Sequence, residues 1–216
     1  MAVVENQVAG SVVLWNVSWS TYEAILADTD RSGTRLTYNQ GSLEIMSPSE
    51  EHERLKKLIG RMVETLTEEL GIPIRSAGST TWKMELKRQG LEPDECYYIT
   101  NEPLVRGKNK ADLAVDPPPD LAVEVELTRR AVDKMPIYAN LGVPEVWRYD
   151  GKTICIERLQ ADGNYVSQPQ SGAFPFLPMA ELVRFLDRRN ATDETSWIRS
   201  FRAWVRTLET GSAETP

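Results

Sequence analysis

The sequence has few of the residues that build disulfide frameworks or zinc sites. It contains one histidine, His52, and two cysteines, Cys96 and Cys155, among 216 residues. Two cysteines are too few for a disulfide framework, and neither lies in the CxxC or Cys/His spacing of a zinc ligand set. The scarcity of these residues therefore gives no indication of a disulfide-rich or zinc-binding protein.

Long apolar runs and a secretory leader are also missing. No apolar run approaches the length of about 18 residues that a membrane helix needs. The opening stretch MAVVENQVAGSVVLW has no basic segment and contains Glu5, so it does not resemble a signal peptide. Hydrophobic residues make up 41% of the chain and charged residues 26%, which is typical of an ordered globular protein. The composition predicts a cytoplasmic protein with no membrane partner.

Basic residues are outnumbered by acidic ones, 25 against 32, and the formal net charge is −7. This balance argues against a protein that coats nucleic acid, because such binding depends on Lys and Arg at the phosphates. It does not exclude an enzyme that contacts nucleic acid along a local basic strip. Two such strips are Arg54, Lys56, Lys57 and Arg61, and Arg106, Lys108 and Lys110. Each is more often a solvated face than a phosphate track.

Hydrophobic periodicity predicts an α/β protein. The stretch RLTYNQGSLEIM has two alternating runs around Gly41, which is typical of a β-hairpin. A long amphipathic helix begins at Pro48 or Ser49 and ends at Gly71. Further strands are predicted over residues 72–82, 91–100, 120–127, 145–149 and 153–159, with a short helix between the third and the fourth. This order of elements predicts a mixed β-sheet flanked by helices.

Residues 1–190 are predicted to form a single domain, since no internal repeat or linker interrupts them. Residues 191–216 are predicted to form an amphipathic C-terminal helix and a disordered tail. The helix carries Trp197, Phe201 and Trp204, which pack either on the domain or on a second subunit. The second alternative would make the protein a homodimer.

The stretch DLAVEVE, residues 120–126, places carboxylates along one face of a predicted strand. The apolar face holds Leu121, Val123 and Val125, and the other holds Asp120, Glu124 and Glu126. Residues two apart in a strand lie about 7 Å apart. Two charges at that distance repel by about 2.4 kcal/mol at an effective dielectric constant of about 20. Either a solvated outer face or a bound cation would account for this arrangement.

A further acid, Asp94, follows Pro93 in the preceding predicted strand. Because proline lacks an N–H donor, Pro93 belongs at an edge, a bulge or the start of that strand. Asp94 and an acid in the middle of the next strand can then hold one hard divalent cation through oxygen ligands. Mg²⁺ or Mn²⁺ there would relieve the repulsion, lower the pKa of a bound water and neutralise charge on a phosphate.

Five segments resemble, in the same order, the Uma family of restriction-endonuclease-like proteins within the PD-(D/E)xK nuclease superfamily. They are GSLEIMSPSEEHERL, GSTTW, EPDECYYI, PPPDLAVEVE and KMPIYANLGVPEVWRYD, between about residue 18 and about residue 188. The resemblance implies a restriction-endonuclease-like fold, a mixed sheet flanked by helices, and DNA as the substrate.

Carried over residue by residue, the resemblance implies that Asp94 and Glu124 bind the metal, with the peptide carbonyl of Val125 as a third ligand. The superfamily commonly has lysine two positions after the Glu, where this chain has Glu126. The Uma pattern instead places its lysine on the next helix, where Lys134 matches. Lys134 would position or help to deprotonate the attacking water, or stabilise the developing phosphate charge.

Three of these candidates keep alternative interpretations. Glu126 is either an extra ligand or a salt-bridge partner of Lys134, and Lys134 is either catalytic or a surface lysine. His52 lies in the first turn of the long helix, where a lone histidine is usually exposed or capping. The Uma pattern also has histidine there, which implies a role near the metal or a phosphate, and Glu51 beside it could contribute instead.

Two functions follow from these observations. The first is a metal-dependent endonuclease that hydrolyses DNA with a metal-activated water. The second is a catalytically degenerate protein of this fold that binds nucleic acid or a protein partner without cleaving it. The net negative charge, the short Leu-Thr-Arg-Arg segment after the acidic strand and Glu126 in place of lysine favour the second function. A metal enzyme acting on another phosphate substrate is a third alternative.

Overall fold

The computed structural model describes residues 4–8, 10–29, 33–128 and 130–210, in which the chain forms twelve strands and six helices. The strands are β1 (Val4–Val8), β2 (Ser11–Leu14), β3 (Arg35–Asn39), β4 (Ser42–Met46), β5 (Arg75–Ser76), β6 (Trp82–Met84), β7 (Gln89–Leu91), β8 (Glu95–Tyr98), β9 (Leu121–Val125), β10 (Glu145–Tyr149), β11 (Ile154–Leu159) and β12 (Tyr165–Gln168). The helices are α1 (Trp19–Thr29), α2 (Glu50–Glu69), α3 (Glu102–Val105), α4 (Met135–Leu141), α5 (Met179–Asp187) and α6 (Glu194–Thr210). The predicted disordered tail at 211–216 lies outside the described residues.

The N-terminal half builds an antiparallel sheet of its own, in the order β1-β2-β4-β3-β7-β6. Its centre is the predicted hairpin, β3 and β4. The prediction of two continuous strands over 72–82 and 91–100 is wrong. The chain turns between β5 and β6, and residues 92–94 separate β7 from β8, which belong to different sheets. Gly78 has φ 52°, and the Thr80 N–H donates to the Ala77 carbonyl at 3.3 Å. This turn directs β6 and β7 into the N-terminal sheet.

The second sheet is mixed and has the order β12-β11-β10-β9-β8-β5. Strands β9 and β10 are parallel, and the other neighbours are antiparallel. Helix α4 makes the crossover that a parallel pair requires. The predicted mixed sheet flanked by helices is confirmed, and it carries the acidic strand at its centre.

Both faces of the central strand β9 are buried. Leu121, Val123 and Val125 pack in a core with residues of α2, α5 and α6. The opposite face carries Ala122 and Glu124 and packs against α4. The interpretation of a solvated outer face is therefore wrong for Glu124, because helices cover both sides of this part of the sheet.

Helix α2 begins after Ser49, one of the two predicted starting positions. The Ser49 hydroxyl accepts a hydrogen bond from the His52 N–H at 3.2 Å, and acids in the first turn interact favourably with the helix dipole. The helix ends at Glu69, and Gly71 adopts φ 62° just beyond it. This N-cap places His52 in the first turn of the helix, beside the start of β8.

Helix α6 contributes to the main core. Trp197, Phe201 and Val205 are buried among residues of α2 and the mixed sheet, and Trp204 packs partly buried against them. Of the two predicted alternatives, these aromatic residues pack on the domain. A homodimer stays a prediction.

Candidate active site

Asp94 and Glu124 lie side by side on neighbouring strands. Strand β8 pairs with β9 in the register Glu95–Val123, so Asp94, immediately before β8, lies beside Glu124. The Val125 N–H donates a hydrogen bond to Asp94 Oδ2 at 2.8 Å. Asp94 and Glu124 are each only 1% exposed. The structure therefore brings the two predicted metal ligands together in a buried position.

Arg130, which no sequence pattern marked, lies across both carboxylates. Its Nη2 atom is 2.9 Å from Glu124 Oε2 and 3.6 Å from Asp94 Oδ2. Burial opposes its charge, but the Glu124 and Asp94 carboxylates raise the pKa of Arg130 above its ordinary value. Arg130 lies in the connection between β9 and α4, where no periodicity predicts the direction of a side chain.

Lys134 is the N-cap residue of α4 and points into the same site. Its Nζ atom donates to Glu124 Oε1 and Oε2 at 2.8 and 2.9 Å, and to the Glu92 carbonyl at 2.9 Å. Burial and the Arg130 charge lower the pKa of Lys134, while Glu124 and Asp94 act in the opposite direction. The surface-lysine alternative is wrong, since Lys134 is only 3% exposed.

Tyr138 also binds Glu124, from the next turn of α4. Its hydroxyl donates a short hydrogen bond to Glu124 Oε1. Burial, and then the Glu124 charge, raise the pKa of Tyr138 well above its ordinary value, so the hydroxyl stays protonated and donates. The spacing of Lys134 and Tyr138 was a missed signal, because residues four apart share one face of a helix.

His52 lies in the site from the other side of the mixed sheet. Its Nε2 atom is 3.2 Å from Asp94 Oδ2, and its Nδ1 atom is 3.5 Å from Glu53 Oε1. The interpretation of an exposed histidine is wrong, because the side chain is buried. Glu51, the alternative contributor, is largely exposed and lies 3.5 Å from Arg189. The acid pair therefore has His52 as its neighbour from α2.

The other acids of the DLAVEVE segment have partners of their own. Glu126 Oε2 accepts a hydrogen bond from Arg148 Nη2 at 2.8 Å, so the predicted salt bridge between Glu126 and Lys134 is wrong. Strand β10 runs parallel to β9 and brings Arg148 next to the end of β9. Asp120 Oδ2 accepts hydrogen bonds at 2.7 and 2.9 Å from two backbone N–H groups that follow β8. Asp120 therefore stabilises a turn, and a catalytic role of Glu126 stays a prediction.

Glu44, on strand β4 of the N-terminal sheet, holds the segment that carries Arg130. Its buried carboxylate accepts hydrogen bonds from the N–H groups of Ala131 at 3.3 Å and Val132 at 3.2 Å. The Arg130 Nη1 atom also lies 3.8 Å from the sulfur of Met46. The sequence pattern of β4 shows only an alternating strand, so Glu44 was missed.

The cations around the pair keep Asp94 ionised. Burial by itself raises the pKa of the Asp94 carboxyl, but His52, Lys134 and Arg130 together lower it below its usual range. The two carboxylates thus face two basic side chains, Arg130 and Lys134. The site is balanced in charge by groups of this chain.

The acid pair fits a hard divalent cation. Asp94 Oδ1 is buried and has no hydrogen-bond partner among the described residues, so its lone pairs are available. Within residues 4–8, 10–29, 33–128 and 130–210, no group of three or more His, Cys, Asp or Glu side chains could hold a metal. Two carboxylates are nevertheless sufficient protein ligands for Mg²⁺, which usually keeps several waters and takes one or two carboxylates.

A family model matches residues 19–187, from the start of α1 to the end of α5. The family is Uma2, described as "Putative restriction endonuclease". The chain belongs to the Uma2 family. The resemblance and the restriction-endonuclease-like fold that it implied are therefore confirmed. The matched segment contains Asp94, Glu124, Arg130 and Lys134, and α6 begins beyond it.

One solved structure similar to this Uma2 chain comes from Anabaena variabilis ATCC 29413 and is described as a putative nuclease belonging to DUF820. The sequences are 16% identical, the match covers 70% of this chain and 90% of that chain, and the TM-score is 0.45. A search of the curated proteins found no match.

The basic strips of this Uma2 chain are largely paired with acids of the same chain. Arg54 and Arg61 lie 3.0 and 3.3 Å from Glu194 of α6. The other pairs are Lys56 with Glu53, Arg106 with Glu102 and Lys108 with Asp116. Among the helices described, none has the length and apolar character that crossing a membrane requires.

Proposed function

We propose that this Uma2 protein is a metal-dependent endonuclease that hydrolyses the phosphodiester bonds of DNA. The observation that carries the proposal is the buried pair of Asp94 and Glu124 with Lys134 bound to Glu124. Two carboxylates from adjacent strands can hold a cation, and a lysine beside them can stabilise charge on a phosphate. The description of the family supports DNA as the substrate.

Asp94 and Glu124 would hold Mg²⁺ or Mn²⁺, and the peptide carbonyl of Val125 would be a third ligand. Such an ion lowers the pKa of a bound water and neutralises charge on a phosphate. The Val125 N–H fixes Asp94 Oδ2, and the Tyr138 hydroxyl fixes Glu124 Oε1. These hydrogen bonds orient the carboxylates, which is how residues behind the direct ligands tune a metal site.

Lys134 would stabilise the negative charge that develops on the phosphate. Its ammonium lies within 2.9 Å of both Glu124 oxygens, so it is held beside the acids that would bind the cation. His52, 3.2 Å from Asp94, would orient that carboxylate from the α2 side.

The test is cleavage of supercoiled plasmid and of single-stranded DNA in Mg²⁺, in Mn²⁺ and in EDTA. Asp94→Asn and Glu124→Gln keep the size of each side chain and remove the negative charge. Glu181→Gln, in an exposed pair with Arg184 on α5, is the matched control and should cleave like the wild type. All four proteins would be purified in the same way to exclude a contaminating nuclease.

Metal-dependent cleavage that is lost in Asp94→Asn and Glu124→Gln, and kept in Glu181→Gln, is the expected result. A reduction of at least about 10²-fold is expected, because removing one group that stabilises developing charge typically has an effect of that size. Equal cleavage by all four proteins would show contamination. No cleavage by any of them would leave the proposal without support.

A second candidate function is a binding protein that keeps the fold without cleaving. The burial of both acids beneath Arg130 favours it, because the carboxylates are closed to a phosphate in this conformation. This function predicts gel-shift binding of DNA that is unchanged by EDTA and by Asp94→Asn. The endonuclease function predicts instead that cleavage requires both the divalent cation and Asp94.

A further inference from the structure

The Arg130 guanidinium contacts both of the acids that would hold a divalent cation. A single guanidinium nitrogen, Nη2, lies 2.9 Å from Glu124 Oε2 and 3.6 Å from Asp94 Oδ2. We infer that Arg130 is an internal competitor of the metal, and that its side chain must leave Asp94 and Glu124 before a divalent cation can bind. The inference rests on the proposed metal-binding role of these two acids, and it adds a residue that regulates the loading of the site.

Charge balance is the first argument. Asp94 and Glu124 contribute two negative charges, and Arg130 and Lys134 contribute two positive charges, all within hydrogen-bonding or ion-pair distance. These four charges cancel, so together they offer a divalent cation no net attraction. Removal of the Arg130 guanidinium leaves one uncompensated negative charge, which strengthens cation binding in a buried site.

Unsatisfied polar atoms are the second argument. Among the described residues, Asp94 Oδ1 is a buried acceptor without a donor, and Arg130 Nε is a buried donor without an acceptor. Buried polar groups are nearly always paired, and unpaired ones carry a cost. A cation on Asp94 Oδ1 and an Arg130 side chain turned towards water would satisfy both atoms. The observed arrangement thus leaves one polar atom of Asp94 and one of Arg130 without a partner among the described residues.

Exposure to solvent is the third argument, and it concerns the Arg130 side chain only. The Arg130 side chain is 10% exposed, more than the side chains of Asp94, Glu124 or Lys134, so it is the group of the site next to the solvent. Glu44 holds the backbone immediately after it through the N–H groups of residues 131 and 132. A change of rotamer at Arg130 can therefore open the acid pair while the backbone and Lys134 stay in place.

The test is the affinity for Mn²⁺, measured by isothermal titration calorimetry on the full chain. The proteins are the wild type, Arg130→Gln and the matched control Arg148→Gln, which removes a guanidinium that binds Glu126 instead. Arg130→Gln is expected to bind Mn²⁺ at least tenfold more tightly than the wild type. Arg148→Gln is expected to stay within about twofold of the wild type, because surface charges contribute little.

The outcomes separate this inference from the proposed function. Equal affinity of Arg130→Gln and the wild type would overturn the competitor role and leave the metal site intact. Weaker binding by Arg130→Gln would overturn it as well and make Arg130 a supporting group. An absence of Mn²⁺ binding by both proteins would overturn the metal-dependent function itself.

A measurement on the wild-type protein tests the same inference without a variant that must fold correctly. Phenylglyoxal modifies exposed guanidinium groups, and the modification of each arginine can be followed by peptide mass spectrometry. Saturating Mn²⁺ is expected to speed modification of Arg130 several-fold and to leave Arg148 unchanged. An unchanged or slower rate at Arg130 would overturn the inference.

Discussion

Lys134 donates hydrogen bonds to both carboxylate oxygens of Glu124 inside a site that is closed to solvent. Breaking a buried ion pair by removing one partner costs about 3–5 kcal/mol, because the other charge stays buried. Lys134→Met is therefore expected to lower the free energy of unfolding by about 3 kcal/mol or more, measured by urea denaturation.

The double variant Lys134→Met/Glu124→Gln should recover most of that loss, since it removes both charges. Arg148→Met is the control, because its pair with Glu126 is partly exposed and should cost less than about 1 kcal/mol. A double variant no more stable than Lys134→Met would contradict the coupling between the two residues.

The two thiols should react very differently. Cys96, on β8, is buried in the core beneath α4, and burial raises the pKa of its thiol to about 12, whereas Cys155 is exposed. Thiolates are the reactive species, so an aromatic disulfide reagent at pH 8 should label one thiol per native chain and two in denaturant. Cys155→Ser should abolish the native labelling. Labelling of two thiols in the native protein would show that β8 is not packed as described.

A close approach between Gly90 and Tyr22 predicts a pair of coupled substitutions. A Cβ atom at position 90 would collide with the Tyr22 hydroxyl, which is buried and without a partner among the described residues. Gly90→Ala is therefore expected to cost about 1–3 kcal/mol, as overpacking does in a close-packed core. Tyr22→Phe removes the colliding oxygen, so Tyr22→Phe/Gly90→Ala should be more stable than Gly90→Ala alone in thermal unfolding. Simple additivity of the two effects would argue against this contact.

Helix α6 should stabilise the protein through its core residues and not through its ion pairs. Phe201 is fully buried, and Phe201→Ala is expected to cost about 3–5 kcal/mol. Arg202 binds Glu68 and Glu69 at the surface, and Arg202→Ala should cost less than about 1 kcal/mol. Guanidinium chloride unfolding measures both. A small effect of Phe201→Ala would indicate that the domain is independent of this helix, as a boundary near residue 190 predicts.

Local patterns determined much of the fold in advance. The hairpin of β3 and β4, the start of α2 at Ser49 and the alternating strand β9 each follow from turn residues, capping and hydrophobic period within a few positions. Where the patterns were wrong, the cause was a turn at Gly78 that redirected β6 and β7 into another sheet. A pattern of alternation cannot say which sheet a strand joins.

The candidate site likewise contains residues that were predicted in advance and residues that were missed. The resemblance to the Uma family implied that Asp94, Glu124, Lys134 and His52 belong to one site, and the structure brings them together. Arg130, Glu44 and Tyr138 were missed, and the contact of Glu126 with Lys134 was wrong. Arg130 lies in an aperiodic connection, and Glu44 belongs to a different sheet, so only the packed chain brings them to the acids.

The sequence by itself determined the hairpin, helix α2 and the acidic strand, because these depend on residue types and on spacings within one segment. Its resemblance to the Uma family gave the family and the chemical character of the site. The tertiary structure alone decided which cation faces which carboxylate. Burial of both faces of β9 closes Glu124 off from water, and a buried charge must find a partner within a few ångströms. That partner is set by the packing of α4 and its preceding loop against the sheet, which no local pattern records.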